Sequence, residues 1–338
     1  TMVRAVVATA MLSSQGLERV IRSGPIYGAA KLGDVDVERW RSLGDRIAED
    51  LVLPATAAAT TTRVYELYLP LYFWLRGQLR AGKTTAVGLH CPQGGGKTTL
   101  CGVLERLFER ENVRCVVASI DDFYKTHAEL EELREAFPQN GLLAGRGPPG
   151  THDAALLRKT LDDLKARRGE TVAIPRYDKG AYGGEGDRRP DEDWQRVAGP
   201  VDLVLLEGWC LGFRPLKEEE TTSDPNLRQI DDFLRTDLAP LYDVFDAFVT
   251  IRVKNPDVVY RWREEAEAKL REASQTGMSP TQVRAFVDRY VPLYEQYLPG
   301  LYAKDLVEGR TLNLELNDDR EPVPLTTTTS QGSAQQNK

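Results

Sequence analysis

Short apolar runs alternate with longer amphipathic stretches over most of the chain. Residues 86–89 (AVGL), 113–120 (VRCVVASI), 201–206 (VDLVLL) and 247–253 (AFVTIRV) are rich in apolar or β-branched side chains, and 311–316 (TLNLEL) is a fifth strand candidate in which polar and apolar residues alternate. Runs of that length without strict alternation predict strands buried on both faces. After the first run, Leu100, Val103, Leu104 and Leu107 recur at helical spacing. Helical segments separate the other runs too, so the pattern predicts an α/β fold with a parallel sheet covered on both faces. Upstream, Val37, Trp40, Leu43, Ile47 and Leu51 lie on one face of a helix over 34–51. A second helix over 62–79 is expected to bend at Pro70, with 55–62 (ATAAATTT) as the loop before it. Residues 1–83 thus read as a helical segment packed on a core domain over 84–322. Asn255 and Pro256 are the cap and first turn of a helix to 273, and Ser279–Pro280 cap another that buries Val283, Phe286, Val287 and Tyr290. The stretch 129–200 is polar and loop-rich but too long to be structureless, and reads as an insertion that builds a substrate pocket. Residues 323–338 contain TTTTSQGSAQQNK and are expected to be a disordered tail.

Composition narrows the function classes. The chain has 338 residues and a formal net charge of −7, with no basic stripe, so nucleic acid is not an expected partner. Cys91, Cys101, Cys115 and Cys210 show no C-x-x-C spacing, which predicts a reduced, intracellular protein. His90, His127 and His152 are far apart, so no zinc motif is present. No apolar run approaches the roughly 18 residues a membrane span needs, and residues 1–14 lack a signal-peptide core. The expected partner is a small molecule, with neither membrane nor nucleic acid involved and a monomer favoured.

The chemistry concentrates after the first strand. The stretch CPQGGGKTTL places Gly94, Gly95 and Gly96 before Lys97, Thr98 and Thr99, and a helix follows. Strand, glycine-rich loop, Lys-Thr and helix make a phosphate cradle: backbone N–H groups and a helix N-terminus face the anion. Cys91 stands where the usual first glycine would be, five residues before Gly96. The order of elements is that of a P-loop NTPase-type sheet with ATP as the expected nucleotide and Mg²⁺ as its metal. Lys97 supplies charge to the phosphates and Thr98 a hydroxyl to the metal. Two further apolar runs end in acids, Asp121 and Glu207, at the edge of the sheet where ligands bind. Phosphoryl transfer requires positioning and charge neutralisation. Asp121 is accordingly the candidate general base, also touching Mg²⁺ through water, and Glu207 holds Mg²⁺ with Thr98. The competing reading is that strand ends are commonly polar, and that Asp122 caps a turn.

Acceptor candidates lie in two loops. GRGPPGTHD carries Arg146, His152 and Asp153; IPRYDKGAYGGEGDRR carries Arg176, Tyr177, Asp178, Lys179, Tyr182, Arg188 and Arg189. Arginines in glycine-rich loops suit capture of a carboxylate or phosphate, so an anionic or polyhydroxylated acceptor is expected; solvated loop charge is the alternative. Arg261 and Arg263 are candidates for a lid over ATP within 255–275, against simple i,i+4 pairing with Glu265 and Glu267. Cys91 could obstruct the cradle if oxidised, or could be a small filler.

Together, CPQGGGKTT, SIDDFY, GTHD, IPRYDKGAYGGEGDR, LLEGWCLGF, YRWREEAE and MSPTQVRAFVDRYVPLYEQYLPGLY resemble the plant-type D-glycerate 3-kinase family, within the phosphoribulokinase/uridine-kinase class of P-loop kinases. The resemblance runs from about residue 23 to about residue 322. It implies transfer of the γ-phosphate of ATP to the 3-hydroxyl of D-glycerate, as in photorespiration, in a chloroplast for a plant-type member or in the cytoplasm for a fungal relative. By motif it implies Lys97 and Thr98 for phosphates and Mg²⁺, Asp121 as base, Glu207 as metal-side acid and Arg261 and Arg263 as lid. It places Arg176, Tyr177 and Arg188 near the acceptor. Cys91 and the stiff Pro148–Pro149 pair depart from the pattern. The rival readings are a related kinase acting on pantothenate, a nucleoside or a sugar phosphate, and a nucleotide-binding protein without turnover.

Overall fold

The computed structural model describes residues 12–52, 58–166, 169–217, 222–274 and 278–326. Residues 1–11, part of the stretch read for a signal peptide, and 327–338 of the expected tail lie outside them; the tail's first residues, 323–326, are ordered instead, with Val323 in a strand pair and Thr326 donating to the Glu315 carboxylate.

Each apolar run forms a strand, as does the alternating TLNLEL. We label them β1 (Thr85–His90), β2 (Cys115–Ser119), β3 (Leu203–Gly208), β4 (Ala247–Val253) and β5 (Thr311–Leu316). A short edge strand, β6 (Pro322–Val323), completes one sheet in the order β6-β5-β4-β1-β3-β2. All pairings are parallel except β6 on β5, so the expected parallel sheet carries one antiparallel edge. From β1 the chain crosses to β2 at one edge and returns to β3, and the next crossover passes to the opposite side of β1, to β4. That reversal opens a crevice at the C-terminal ends of the strands, the place where open α/β sheets bind ligands. Two strand boundaries shift function. β3 extends past the apolar run and takes Glu207 into the sheet, opposite Leu89 and Ser119. β2 stops at Ser119, and Ile120–Phe123 form a 3₁₀ turn that carries Asp121 clear of the ladder.

One face of the sheet is covered by the helix Lys97–Arg110 and the N-terminal helices. Leu100, Val103, Leu104, Leu107 and Phe108 of the first share a core with Trp40, Leu43, Ile47, Tyr72 and Leu75 of the second. Burying each such aliphatic side chain stabilises the fold by about 1.5–3 kcal/mol, so apolar contact dominates this layer. The half-exposed ion pairs of Arg39 and Arg76 with Glu111 contribute less. The expected bend at Pro70 takes another form. Thr62–Tyr68 is a π-helical turn, and Pro70 sits in the first turn of Leu69–Gln78, where its missing N–H costs nothing. Residues 58–61, expected in a loop, are helical; 55–57 lie outside the described residues.

The other face corrects the reading of 129–200 as mostly loop. It contains the helices His127–Ala136 and Ala154–Lys165 and two small antiparallel pairs, Val172–Ile174 with Gln195–Val197 and Tyr177–Asp178 with Asp187–Arg188. Leu157, Leu161 and Leu164 belong to the same core as Val204 and Leu206 of the sheet, so this helix is a layer of the fold. The polar stretch around it hid the helix because only one face of it is apolar. Among the described residues no helix is long and apolar enough to cross a membrane.

Candidate active site

β1 feeds a tight turn that closes on the helix Lys97–Arg110. Gly96 is its N-cap at φ 90°, and no side chain caps the helix, so its first N–H groups remain open. Gly94 has φ 80°, and a Cβ there would fall 2.6 Å from Trp262 Cβ. The loop is braced from two sides. Gln93 N–H donates to Tyr294 Oη (3.1 Å), and Arg320 Nε donates to the Gly94 carbonyl (2.7 Å) with its guanidinium over the Trp262 ring. Lys97 Nζ donates to the carbonyls of Cys91 (3.0 Å) and Pro92 (3.4 Å). Burial works against its charge, but the carboxylates of Glu207 first, then Asp121, outweigh burial and hold the ammonium above its ordinary range. Cys91 lies beneath Gly95, where a Cβ would fall 2.3 Å from its sulfur. Burial pushes the thiol up to about 12, so it is a protonated filler of the loop.

This loop forms one wall of a cleft of about 680 Å³. Gly94, Gly96, Lys97, Thr98 and Thr99 face it, as do Asp121 and Glu207. Asp121 has both oxygens occupied: Tyr124 Oη donates to Oδ1 (2.9 Å) and Lys179 Nζ to Oδ2 (2.6 Å). Burial alone would raise its carboxyl, but Lys179 first, then Lys97 and His152, reverse that and leave it below the usual carboxylate range. Glu207 is buried, and its Oε2 has no hydrogen-bond partner. Burial pushes this carboxyl up, with Lys97 opposing. The neighbouring Asp122, expected to cap a turn, instead anchors Arg176 (2.7 Å to Nη1) and the Tyr177 N–H.

The acceptor-side residues divide. Arg146 and Arg176 line the cleft, and so does Arg263. Each is engaged by the protein itself. Arg146 donates to the carbonyls of Lys179, Gly184 and Glu185; Arg176 holds Asp122 and Gln195; Arg263 pairs with Glu267 and lies over the Phe286 ring. Phe286 accordingly faces the cleft, where the helical pattern had placed it in the core. His152, Asp153, Tyr177 and Arg188 do not line the cleft but build the wall beneath Tyr124. His152 is 1% exposed and stacks on the Tyr124 ring at 4.6 Å; burial depresses its imidazole to about 4, so it is neutral. Asp153 caps the helix Ala154–Lys165 and accepts from Arg188, which also donates to the Tyr124 carbonyl (2.8 Å). Tyr177 is buried against Tyr124, with Arg146 over its ring. Arg261 does not line the cleft either; it pairs with Glu265 and Asp319. Gly95 lies against Cys91 and is not part of the lining.

Two residues here, Tyr124 and Arg320, carried no assigned role in the sequence, and Lys179, one of the acceptor-loop candidates, sits on the candidate base. Tyr124 closes the SIDDFY motif and Lys179 lies in the RYDKG stretch, so motif membership was the available signal for both. Arg320 reaches the loop from 226 residues away, and nothing local announces it.

An open helix N-terminus behind a glycine-rich loop, a lysine and two strand-end carboxylates, in one cleft of a mostly parallel sheet, define a P-loop kinase. No family model matches the chain. It is 34% identical over 344 residues to the chloroplastic D-glycerate 3-kinase of Arabidopsis thaliana, covering 92% of this chain and 73% of that one. It is 37% identical over 246 residues to the "probable ATP-dependent kinase TDA10" of Saccharomyces cerevisiae, covering 68% of this chain and 83% of that one. The D-glycerate 3-kinase structure from Cryptococcus neoformans superposes with a TM-score of 0.68 at 33% identity, over 76% of this chain and 94% of its own. The chain is a small-molecule kinase and belongs to the D-glycerate 3-kinase family.

Proposed function

We propose that this chain transfers the γ-phosphate of ATP to the 3-hydroxyl of D-glycerate, giving 3-phosphoglycerate and ADP. The carrying observation is that one cleft holds the phosphate loop and, across it, a half-buried carboxylate kept ionised. The glycine-rich loop and the open helix N-terminus receive the phosphates, and Lys97 leaves its two carbonyls to follow them. Asp121 accepts the proton of the attacking hydroxyl as the oxygen–phosphorus bond forms and the bond to ADP breaks. Arg263 adds positive charge from the lid side. Arg146 and Arg176 shape the acceptor wall, with His152, Asp153, Tyr177 and Arg188 packed behind it.

A divalent cation fits this donor set. Glu207 offers a buried oxygen without a partner, and Thr98 lies on the same cleft. A hydroxyl and one carboxylate suit Mg²⁺, a cation held by few protein oxygens plus phosphates and water. When bound, Mg²⁺ supplies charge neutralisation at the phosphates; Thr98 and Glu207 would hold it, with Asp121 behind a water.

The described helices between residues 14 and 78 act in this reading as a brace on the phosphate-loop helix, and the site is complete in a monomer. The Arabidopsis relative is named chloroplastic, and a chloroplast supplied with photorespiratory glycerate is the setting we assign; the cytoplasm is the alternative for a fungal-type member. The reading is tested by following ADP release with D-glycerate, pantothenate, uridine and ribulose 5-phosphate as acceptors. D-Glycerate is expected to give the highest kcat/KM. Preference for pantothenate, the substrate in the names of more distant relatives at 27–28% identity, would replace it.

A further inference from the structure

The cations of the cleft are not equally available to a substrate. Arg146 is spent on three carbonyls, Arg176 on Asp122 and Gln195, and Arg263 on Glu267. Lys97 belongs to the phosphate loop. Lys179 differs from all of them: its only ion pair among the described residues is with Asp121 itself, and its side chain is 58% exposed. The two oxygens of Asp121 differ in the same way. Oδ1 is held by Tyr124, which is 3% exposed and packed between His152 and Tyr177. Tyr124 cannot leave without dismantling that wall. Oδ2 is held by an ammonium on a long stem that can swing away. An acceptor hydroxyl must therefore approach Oδ2, and Lys179 must find another partner when it does.

The backbone around Lys179 is built to let the side chain move while the loop stays. Arg146 pins the carbonyls of Lys179, Gly184 and Glu185, Arg134 pairs with Glu185, and Tyr182 stacks on His127 at 3.8 Å. A lysine is a point charge on rotatable bonds, so it can exchange one carboxylate for another without repacking.

We propose that Lys179 is the acceptor-carboxylate residue of this kinase, trading its ion pair with the general base for one with the substrate anion. The inference rests on the glycerate reading above. A hydroxy acid thereby uncovers Oδ2 as it binds: its carboxylate takes Lys179, its hydroxyl donates to the vacated oxygen, and that proton passes to Asp121 as the bond to phosphorus forms and the bond from phosphorus to the departing ADP breaks. A neutral polyol of the same size offers Lys179 no carboxylate and must compete with the ion pair already there. Selection for an anionic acceptor thus comes from the same contact that keeps the base covered in its absence.

The test compares D-glycerate with D-glyceramide, which has the same shape and hydroxyls but no charge. KM for D-glycerate and the competitive inhibition constant of D-glyceramide are measured in the wild type, Lys179→Met and Lys179→Arg. A charge-assisted contact of this kind is worth about 1.5–3 kcal/mol, so the preference for acid over amide should fall roughly 10- to 100-fold in Lys179→Met. Lys179→Arg should recover most of it. The proposal is overturned if Lys179→Met keeps the preference within about threefold of wild type, or if it weakens acid and amide equally, which would assign Lys179 to the transferred phosphate instead. Binding of an ATP analogue by each variant establishes that the cleft is intact. Wild-type protein that makes no 3-phosphoglycerate would overturn the glycerate reading itself, a result distinct from an active wild type with an insensitive Lys179→Met.

Discussion

Asp121 is held at both oxygens, by the Tyr124 hydroxyl and the Lys179 ammonium. Replacing it with asparagine keeps the shape and both neighbours but removes the proton acceptor. Asp121→Asn should lower kcat by about 10²–10⁴-fold while an ATP analogue still binds; comparable turnover in the variant would remove Asp121 from the reaction. Cys91 offers a second test at this scale. Its thiol is fully buried and pushed up to about 12 by burial, and only the thiolate reacts with alkylating agents. Native protein should leave Cys91 unlabelled by iodoacetamide over a time in which the denatured chain is fully labelled, as read by mass spectrometry. Rapid native labelling would restore the oxidation reading. The residue scale is also where the sequence was least informative. Charge type can be read from a chain, but not the partner a charge will take. Arg188 and Asp153 look like ligand-binding residues in their motifs and instead hold each other beneath Tyr124. Lys179 looks like loop charge and sits on the candidate base.

At the level of elements, the glycine-rich turn is fixed by what packs against it. Gly94→Ala would place a methyl 2.6 Å from Trp262 Cβ at a left-handed φ of 80°. It should weaken ATP binding by about 5- to 150-fold, since strain of about 1–3 kcal/mol falls on the loop that must close on phosphate. Unchanged affinity by calorimetry would show the loop to be more tolerant than its packing implies. The helix that follows is held by its apolar face. Leu104 is fully buried between the sheet and the N-terminal helices, so Leu104→Ala should cost about 2–5 kcal/mol in urea unfolding; a loss below about 1 kcal/mol would contradict that packing. Elements were the most legible scale. Four short apolar runs and the alternating TLNLEL read as strands, and β4 and β5 match their runs residue for residue. The helix Ala154–Lys165 was missed because its buried stripe of Leu157, Leu161 and Leu164 is narrow and flanked by charge. The π-helical turn before Pro70 leaves no pattern, since its irregularity answers to the neighbouring helices.

Across the whole molecule, two buried histidines link the fold to pH. His90 and His152 are each 1% exposed or less, and burial depresses their imidazoles to about 3 and about 4. Both are neutral when folded. The unfolded chain binds more protons between those values and the ordinary 6.5, so stability is lost as pH falls below about 6.5, by up to about 1.4 kcal/mol per pH unit for each histidine. Unfolding free energy measured at pH 7 and pH 5 should fall accordingly; a flat profile would mean that the two rings are not buried as neutral groups. The assembly of the site is also a property of the whole chain. The motifs Gly94–Thr99, Asp121 and Glu207 were legible because each sits where a strand ends, and the sheet then brings strand ends together. Arg320, Trp262 and Tyr294 brace the same loop from far along the chain, and only the fold reveals them. The central claim is one of chemistry and can be measured in a single reaction: purified protein incubated with ATP, Mg²⁺ and D-glycerate, with the products resolved by ³¹P and ¹³C NMR. Stoichiometric ADP and 3-phosphoglycerate are the predicted products. Phosphate on the 2-hydroxyl, ADP without a phosphorylated glycerate, or no consumption of ATP would contradict it.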